Sequence, residues 1–147
     1  MERNLYLDKL IRRKNNGMIK IITGIRRSGK TYLLFELFYD YLIKSGVDKD
    51  HIIKIALDDR INKKYRDPDV LCEYVHNEVK DDDMYYVLLD EVQMVSEFED
   101  VLNSCLHLKN ADTYVTGSNA KFLSKDIITE FRGRGDQIHL FPLSFAE

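Results

Sequence analysis

The stretch Gly24-Ile25-Arg26-Arg27-Ser28-Gly29-Lys30-Thr31 constrains this chain more than any other. It reads G-x-x-x-x-G-K-T, a loop whose backbone N–H groups can curl around a polyphosphate. The glycines permit the curl. Lys30 can reach the β- and γ-phosphates as a point charge, and the Thr31 hydroxyl can sit on Mg²⁺. Such a loop needs a strand before it and a helix after it. Met18 to Thr23 reads as a short β-branched strand. Tyr32 to Ser45 reads as a helix, apolar at Leu33, Leu34, Leu37, Phe38, Tyr41 and Leu42. The positive end of that helix faces the same anion. Gly24, Ile25, Arg26, Arg27, Ser28, Gly29, Lys30, Thr31 and Tyr32 are therefore the candidate nucleotide contacts. Arg26 and Arg27 are unusual inside such a loop. They read equally as surface arginines or as contacts to a γ-phosphate or a partner's carboxylates.

The rest of the chain alternates strands with helices. The first seventeen residues are basic, with Arg12-Arg13-Lys14 before the turn Asn15-Asn16-Gly17, and suit a short helix beside the sheet. Gly46 closes the helix after the loop. His51 to Leu57 is a second strand. Asp67-Pro68 opens a helix, with Asp at the cap and Pro at the first helical position. Its apolar face is Leu71, Tyr74, Val75 and Val79. Met84 to Leu89 is a continuous apolar run, as expected of a parallel strand buried on both faces. Ser96-Glu97-Phe98-Glu99 has the form of a capping box for the next helix. Thr113 to Thr116 is a fourth strand, Ala120 to Phe131 a helix and Gln137 to Phe141 a fifth strand. This order predicts an α/β domain over residues 1–147, three-layered, with a parallel sheet and helices on both faces. The chain stops just after the last strand, which suggests an N-terminal fragment of a longer protein.

Composition narrows the setting. The chain has 147 residues and a net charge of −3, which argues against a surface built mainly to coat nucleic acid and leaves room for a local patch. Cys72 and Cys105 are far apart and read as buried thiols of a reducing compartment. The four histidines are scattered without ligand spacing, so zinc is not expected. No signal peptide and no membrane span are visible, and the cytoplasm is the default.

Three further segments carry chemistry. Tyr85-Tyr86-Val87-Leu88-Leu89-Asp90-Glu91 is an apolar strand ending in Asp-Glu, the Walker B pattern. It puts Asp90 at the carboxyl edge of the sheet, where ligands of open α/β sheets bind. Asp90 can hold Mg²⁺, through water, and Glu91 can orient or deprotonate the attacking water. Thr116-Gly117-Ser118-Asn119 ends the fourth strand. Ser118 or Asn119 can contact the γ-phosphate or the water as a sensor, or can cap the next helix. Phe131-Arg132-Gly133-Arg134-Gly135 holds two arginines between glycines. Either can act as an arginine finger, worth roughly 10³–10⁵ in rate, supplied from a neighbouring subunit. A surface loop and a small nucleic-acid contact are the other readings. Asp58-Asp59-Arg60 reads as a polar strand end.

Together these segments resemble a family of AAA-type ATPases of bacteria and archaea that pair an N-terminal AAA domain with a nuclease-like C-terminal domain. The likeness rests on Ile22 to Thr31, Leu88-Leu89-Asp90-Glu91-Val92-Gln93, Val115 to Asn119, Thr129 to Gly135 and Pro142-Leu143-Ser144-Phe145. It implies a five-stranded sheet of order 5-1-4-3-2, Asp90-Glu91 as Walker B, the fourth strand as sensor, and a C-terminal partner domain missing here.

The expected activity is Mg²⁺-dependent ATP binding and hydrolysis, acting as a motor or switch for that domain or for a partner. A homo-oligomer would let Arg132 or Arg134 act in trans. The alternatives are a nucleotide-binding switch or DNA-tethering module with little hydrolysis, and a P-loop kinase. A GTPase would need Asn-Lys-x-Asp, and Asn62-Lys63-Lys64-Tyr65 lacks its Asp.

Overall fold

In the computed structural model, residues 2–24, 29–118 and 135–139 are described. The strands are β1 (Ile19–Thr23), β2 (Ile52–Ala56), β3 (Tyr85–Asp90), β4 (Ala111–Gly117) and β5 (Gly135–His139). They form one sheet in the order β2-β3-β4-β1-β5. Every neighbouring pair is parallel. The four strands β1 to β4 thus run in the anticipated order 1-4-3-2, and β5 lies against the free edge of β1. The fifth strand was expected at Gln137 to Phe141, and the ladder begins two residues earlier, pairing Ile19 with Gly135. The expected helix from Ala120 to Phe131 lies outside the described residues.

The helices cover both faces, because the strands are apolar on both. Along β3, Tyr86 and Leu88 pack on one side, and Val87 and Leu89 on the other. The first side is covered by α1 (Glu2–Arg12) through Tyr6 and Leu10, and by the helix after the phosphate loop through Leu33, Leu34, Phe38 and Leu42. The second side is covered by α4 (Pro68–Glu78) and α5 (Phe98–Leu106), through Leu71, Val75, Phe98, Val101 and Leu102. Two separate apolar cores result, one per face. That is what makes this a three-layer α/β domain.

The helix after the loop runs from Lys30 to Lys44 in three parts. These are α2 (Lys30–Tyr32), a π-helical stretch at Leu33–Phe38, and α3 (Tyr39–Lys44). It ends at Gly46 as expected. Gly46 has φ +103°, and the Gly46 and Val47 N–H groups donate to the Ile43 and Leu42 carbonyls at 3.1 and 3.0 Å. This is the paired closure of a left-handed C-terminal cap. Asp67 caps α4 from the side chain, accepting from Asp69 N at 2.9 Å.

The capping box at Ser96 does not form. Glu97, not Ser96, is the cap of α5, with φ +53° and no side-chain cap bond. Ser96 N–H instead donates to the Arg66 carbonyl at 3.2 Å, and Phe98, 2% exposed, starts the helix from within the core. Burial of Phe98 sets the helix start, and the polar signature yields to it. Of the two cysteines, Cys105 is buried and Cys72 half-buried. Burial pushes the Cys105 thiol up to about 12, so it is an inert core group.

A buried ion pair joins β1 to β4. Lys20, fully buried, pairs with Asp112, also buried, and lies 5.0 Å from the centre of the Tyr114 ring. The Asn16 side-chain oxygen also accepts from Lys20, at 3.0 Å, and Asn15 N–H donates to Asp112 at 2.8 Å. Among the described residues, no helix is long and apolar enough to cross a membrane.

Candidate functional site

The carboxyl ends of β1, β4 and β3 stand side by side. Ile22 is level with Thr116, and Leu89 with Val115. The residue after Leu89, Asp90, therefore reaches the row of Thr116. The glycine-rich segment between Gly24 and Gly29 follows β1, whose carboxyl end lies at this edge. Its closing residue, Gly29, has φ +88°, a left-handed conformation that glycine adopts without strain. The Gly29 carbonyl accepts from Leu33 N–H at 2.9 Å and so starts the helix. Lys30 is buried, 3% exposed, while Thr31 and Tyr32 are exposed.

Thr31 and Asp90, 59 residues apart in sequence, meet here. The Thr31 hydroxyl lies 3.0 and 2.9 Å from the two carboxylate oxygens of Asp90. Adjacent oxygen ligands on an octahedral Mg²⁺ ion, each about 2.1 Å from the metal, stand about 3 Å apart. The two side chains are joined by a hydrogen bond and offer the hard oxygen donors that such an ion takes, directly or through water. Asp90 is 2% exposed. Burial, aided by the charges of Glu91 and Asp58, raises its pKa, against hydrogen bonds from Thr116 and Thr31 that lower it. A carboxylate made costly by burial is one that a cation can stabilise.

The cost has a testable sign. A raised folded-state pKa favours folding below the pKa of the unfolded chain, and that contribution is lost as pH rises through the folded value. At neutral pH the Asp90 charge therefore opposes folding. Asp90→Asn should raise the melting temperature of the nucleotide-free chain at pH 7 by more than at pH 4, while Mg²⁺-dependent nucleotide binding is lost. Calorimetry at the two pH values checks the first part, and titration with and without Mg²⁺ the second.

Thr116 links the acidic pair. Its hydroxyl donates to Asp90 Oδ1 at 2.7 Å and accepts from the Glu91 N–H at 2.8 Å. Glu91 is the first residue beyond β3 and sits at φ +57°, a conformation uncommon for a non-glycine residue and often found where function requires it. Its Oε1 accepts from Ser118 Oγ at 2.7 Å and from Gln93 Nε2 at 2.6 Å.

The structure thus brings together Gly29, Lys30, Thr31, Asp90, Glu91 and Ser118 of the expected residues. Gly24 is the first residue after β1. Ile25, Arg26, Arg27, Ser28, Asn119, Arg132 and Arg134 lie outside the described residues. Sequence reasoning missed Thr116 and Gln93 as site residues. The signal for Thr116 lies in how the ends of β4 and β3 stand side by side, which a single sequence does not show. It also missed a grouping at the opposite, amino edge of the sheet. His51, Asp81 and Asp83, scattered in sequence, place their ligand atoms within 4.8 Å of one another.

The sequence matches the family model described as an AAA domain over residues 16–147. It is 32% identical over 148 residues to an uncharacterised protein of Haemophilus influenzae, and 33% identical over 133 residues to one of Methanocaldococcus jannaschii. These alignments take in 100% and 88% of this chain but only 37% and 27% of the relatives, so the chain spans about a third of their length. Among solved structures, the fold is similar to a chain in the structure of Drosophila ORC bound to DNA (TM-score 0.63, 10% identity, 95% of this chain and 90% of that one). It is also similar to Caenorhabditis elegans PCH-2 (0.61, 17%, 92% and 40%) and to AMPPCP-bound DnaA of Aquifex aeolicus (0.57, 17%, 92% and 44%). Sheet order and family match agree, and the chain belongs to the AAA domain family.

Proposed function

We propose that this chain binds ATP with Mg²⁺ and hydrolyses it, and that the cycle moves a further domain or a partner. The observation that carries the reading is the cluster at the sheet edge. Thr31 and Asp90 lie within 3.0 Å of each other, with Thr116, Glu91 and Ser118 joined to them in one hydrogen-bonded series.

In this reading the loop backbone from Gly24 to Gly29 wraps the phosphates, and Lys30 neutralises their charge. Thr31 and Asp90 would hold Mg²⁺, which would supply stabilisation of the phosphates' negative charge. Glu91 takes the proton of the attacking water. Ser118, through its bond to Glu91, registers the state of the γ-phosphate, and Arg132 or Arg134 stabilises transition-state charge. A carboxylate beside Asp90 suits water as the acceptor, which favours hydrolysis over a kinase reaction.

Lys30→Ala should weaken Mg·ATP binding about ten- to a hundredfold, the range expected for losing charge-assisted bonds to phosphate. The fold should persist, because the lost group faces the ligand. Calorimetric titration with a non-hydrolysable ATP analogue, alongside a melting curve, reads both. Unchanged affinity would remove the phosphate loop from the proposal.

A further inference from the structure

We infer that Gln93 is a positioning residue for Glu91, fixing which of its two carboxylate oxygens meets the attacking water. The inference rests on the reading of Glu91 as the base.

The geometry begins with the chain's exit from β3. Val92–Met94 form a single 3₁₀ turn, closed by Met94 N–H donating to the Glu91 carbonyl at 3.1 Å. Val92 is fully buried and Val95 is 2% exposed, so both ends of the turn are pinned in the core. Gln93 lies between them, and its amide returns to the side chain two residues back.

There it donates to Glu91 Oε1 at 2.6 Å, on the same oxygen that accepts from Ser118 at 2.7 Å. A carboxylate oxygen has two lone pairs in plane, and these two donors use both. Among the described residues no hydrogen bond is recorded to Oε2. The carboxylate is thus held by one oxygen from two directions, and its other oxygen is presented for proton transfer.

A second observation separates this from ordinary packing. The Gln93 side-chain carbonyl oxygen is buried and has no partner among the described residues. An ionised carboxylate only accepts hydrogen bonds, so the amide must turn its NH₂ group toward Glu91. That choice leaves the carbonyl without a donor, a cost to folding that an apolar side chain of the same length would avoid. Stability alone favours methionine at this position, and what the glutamine adds is the bond to Glu91.

The test compares Gln93→Met, which keeps the length and removes the donor, with Gln93→Lys, which restores a donor of similar reach. Steady-state ATP hydrolysis is measured in the intact protein that carries this chain, with Glu91→Gln as control and a melting curve for each variant. Gln93→Met is expected to lower kcat about ten- to a hundredfold, as for a misplaced catalytic group. KM for Mg·ATP should stay within about twofold, and the melting temperature should be equal or higher. Gln93→Lys should recover most of the lost kcat. If Gln93→Met keeps kcat within about twofold while Glu91→Gln abolishes turnover, Gln93 has no positioning role and the base assignment stands. If Gln93→Met melts lower and loses kcat in proportion to its folded fraction, the residue is structural and the inference falls. If Glu91→Gln itself turns over normally, the base assignment fails and takes the Gln93 inference with it.

Discussion

Glu91→Gln should cut ATP turnover by about 10²- to 10⁴-fold, the contribution usual for a positioned general base, and leave Mg·ATP binding intact. The substitution is close to a pure chemical deletion. The amide keeps the size of the carboxyl group and keeps an oxygen to accept from Ser118 and Gln93, now at 2.7 and 2.6 Å. The backbone bond from Glu91 N–H to Thr116, at 2.8 Å, does not involve the side chain at all. What is lost is the carboxylate proposed above to accept the water's proton. Phosphate release under single-turnover conditions, paired with analogue titration, measures both quantities. A variant that binds and still hydrolyses within a few-fold of the parent would assign the water to another residue. A parent protein that binds ATP and turns over no faster than this variant would be a nucleotide-binding switch instead.

Lys20→Met should cost about 3–5 kcal/mol of stability, because it leaves the Asp112 charge buried without its cation. Asp112 is 5% exposed, and Lys20 is wholly buried. For a chain of this size each kcal/mol lowers the melting temperature by about 2–4 °C, so the variant should melt roughly 6–20 °C lower. Replacing both partners, with Asp112→Leu added, should recover much of the loss, since two apolar side chains leave no charge to solvate. Recovery should be incomplete, as the Asn15 N–H loses its acceptor on Asp112. Thermal melts of parent, single and double variants form the cycle. A single variant within about 1 kcal/mol of the parent would mean that Asp112 reaches water or another donor.

These two sites differ in how far the sequence reveals them. The loop and the Asp90-Glu91 pair were readable because each is a local pattern. A strand of apolar residues ends, and polar or charged residues follow at its carboxyl edge. Thr31 and Asp90 meet because a parallel sheet brings the strand ends to one edge. Lys20 was not readable, since a lysine between isoleucines looks like ordinary alternation. Its partner lies 92 residues on and meets it only through the β1–β4 register. Thr116 was hidden for a similar reason. Threonine is a common strand former, and its hydroxyl gains meaning only when the neighbouring strand ends beside it. The false capping box shows the reverse case. Ser96 to Glu99 has the local pattern, and the burial of Phe98 overrides it.

The Thr116 hydroxyl has one proton and spends it on Asp90, and it offers a lone pair to the amide of Glu91. A single rotor therefore ties the Asp90 side chain to the peptide N–H of Glu91, alongside the covalent bond between the two residues. It belongs to β4, the strand lying between the loop strand and the acidic strand. Removing that hydroxyl would free the Asp90 carboxylate and the Glu91 N–H together, so one substitution on β4 loosens both residues at the end of β3.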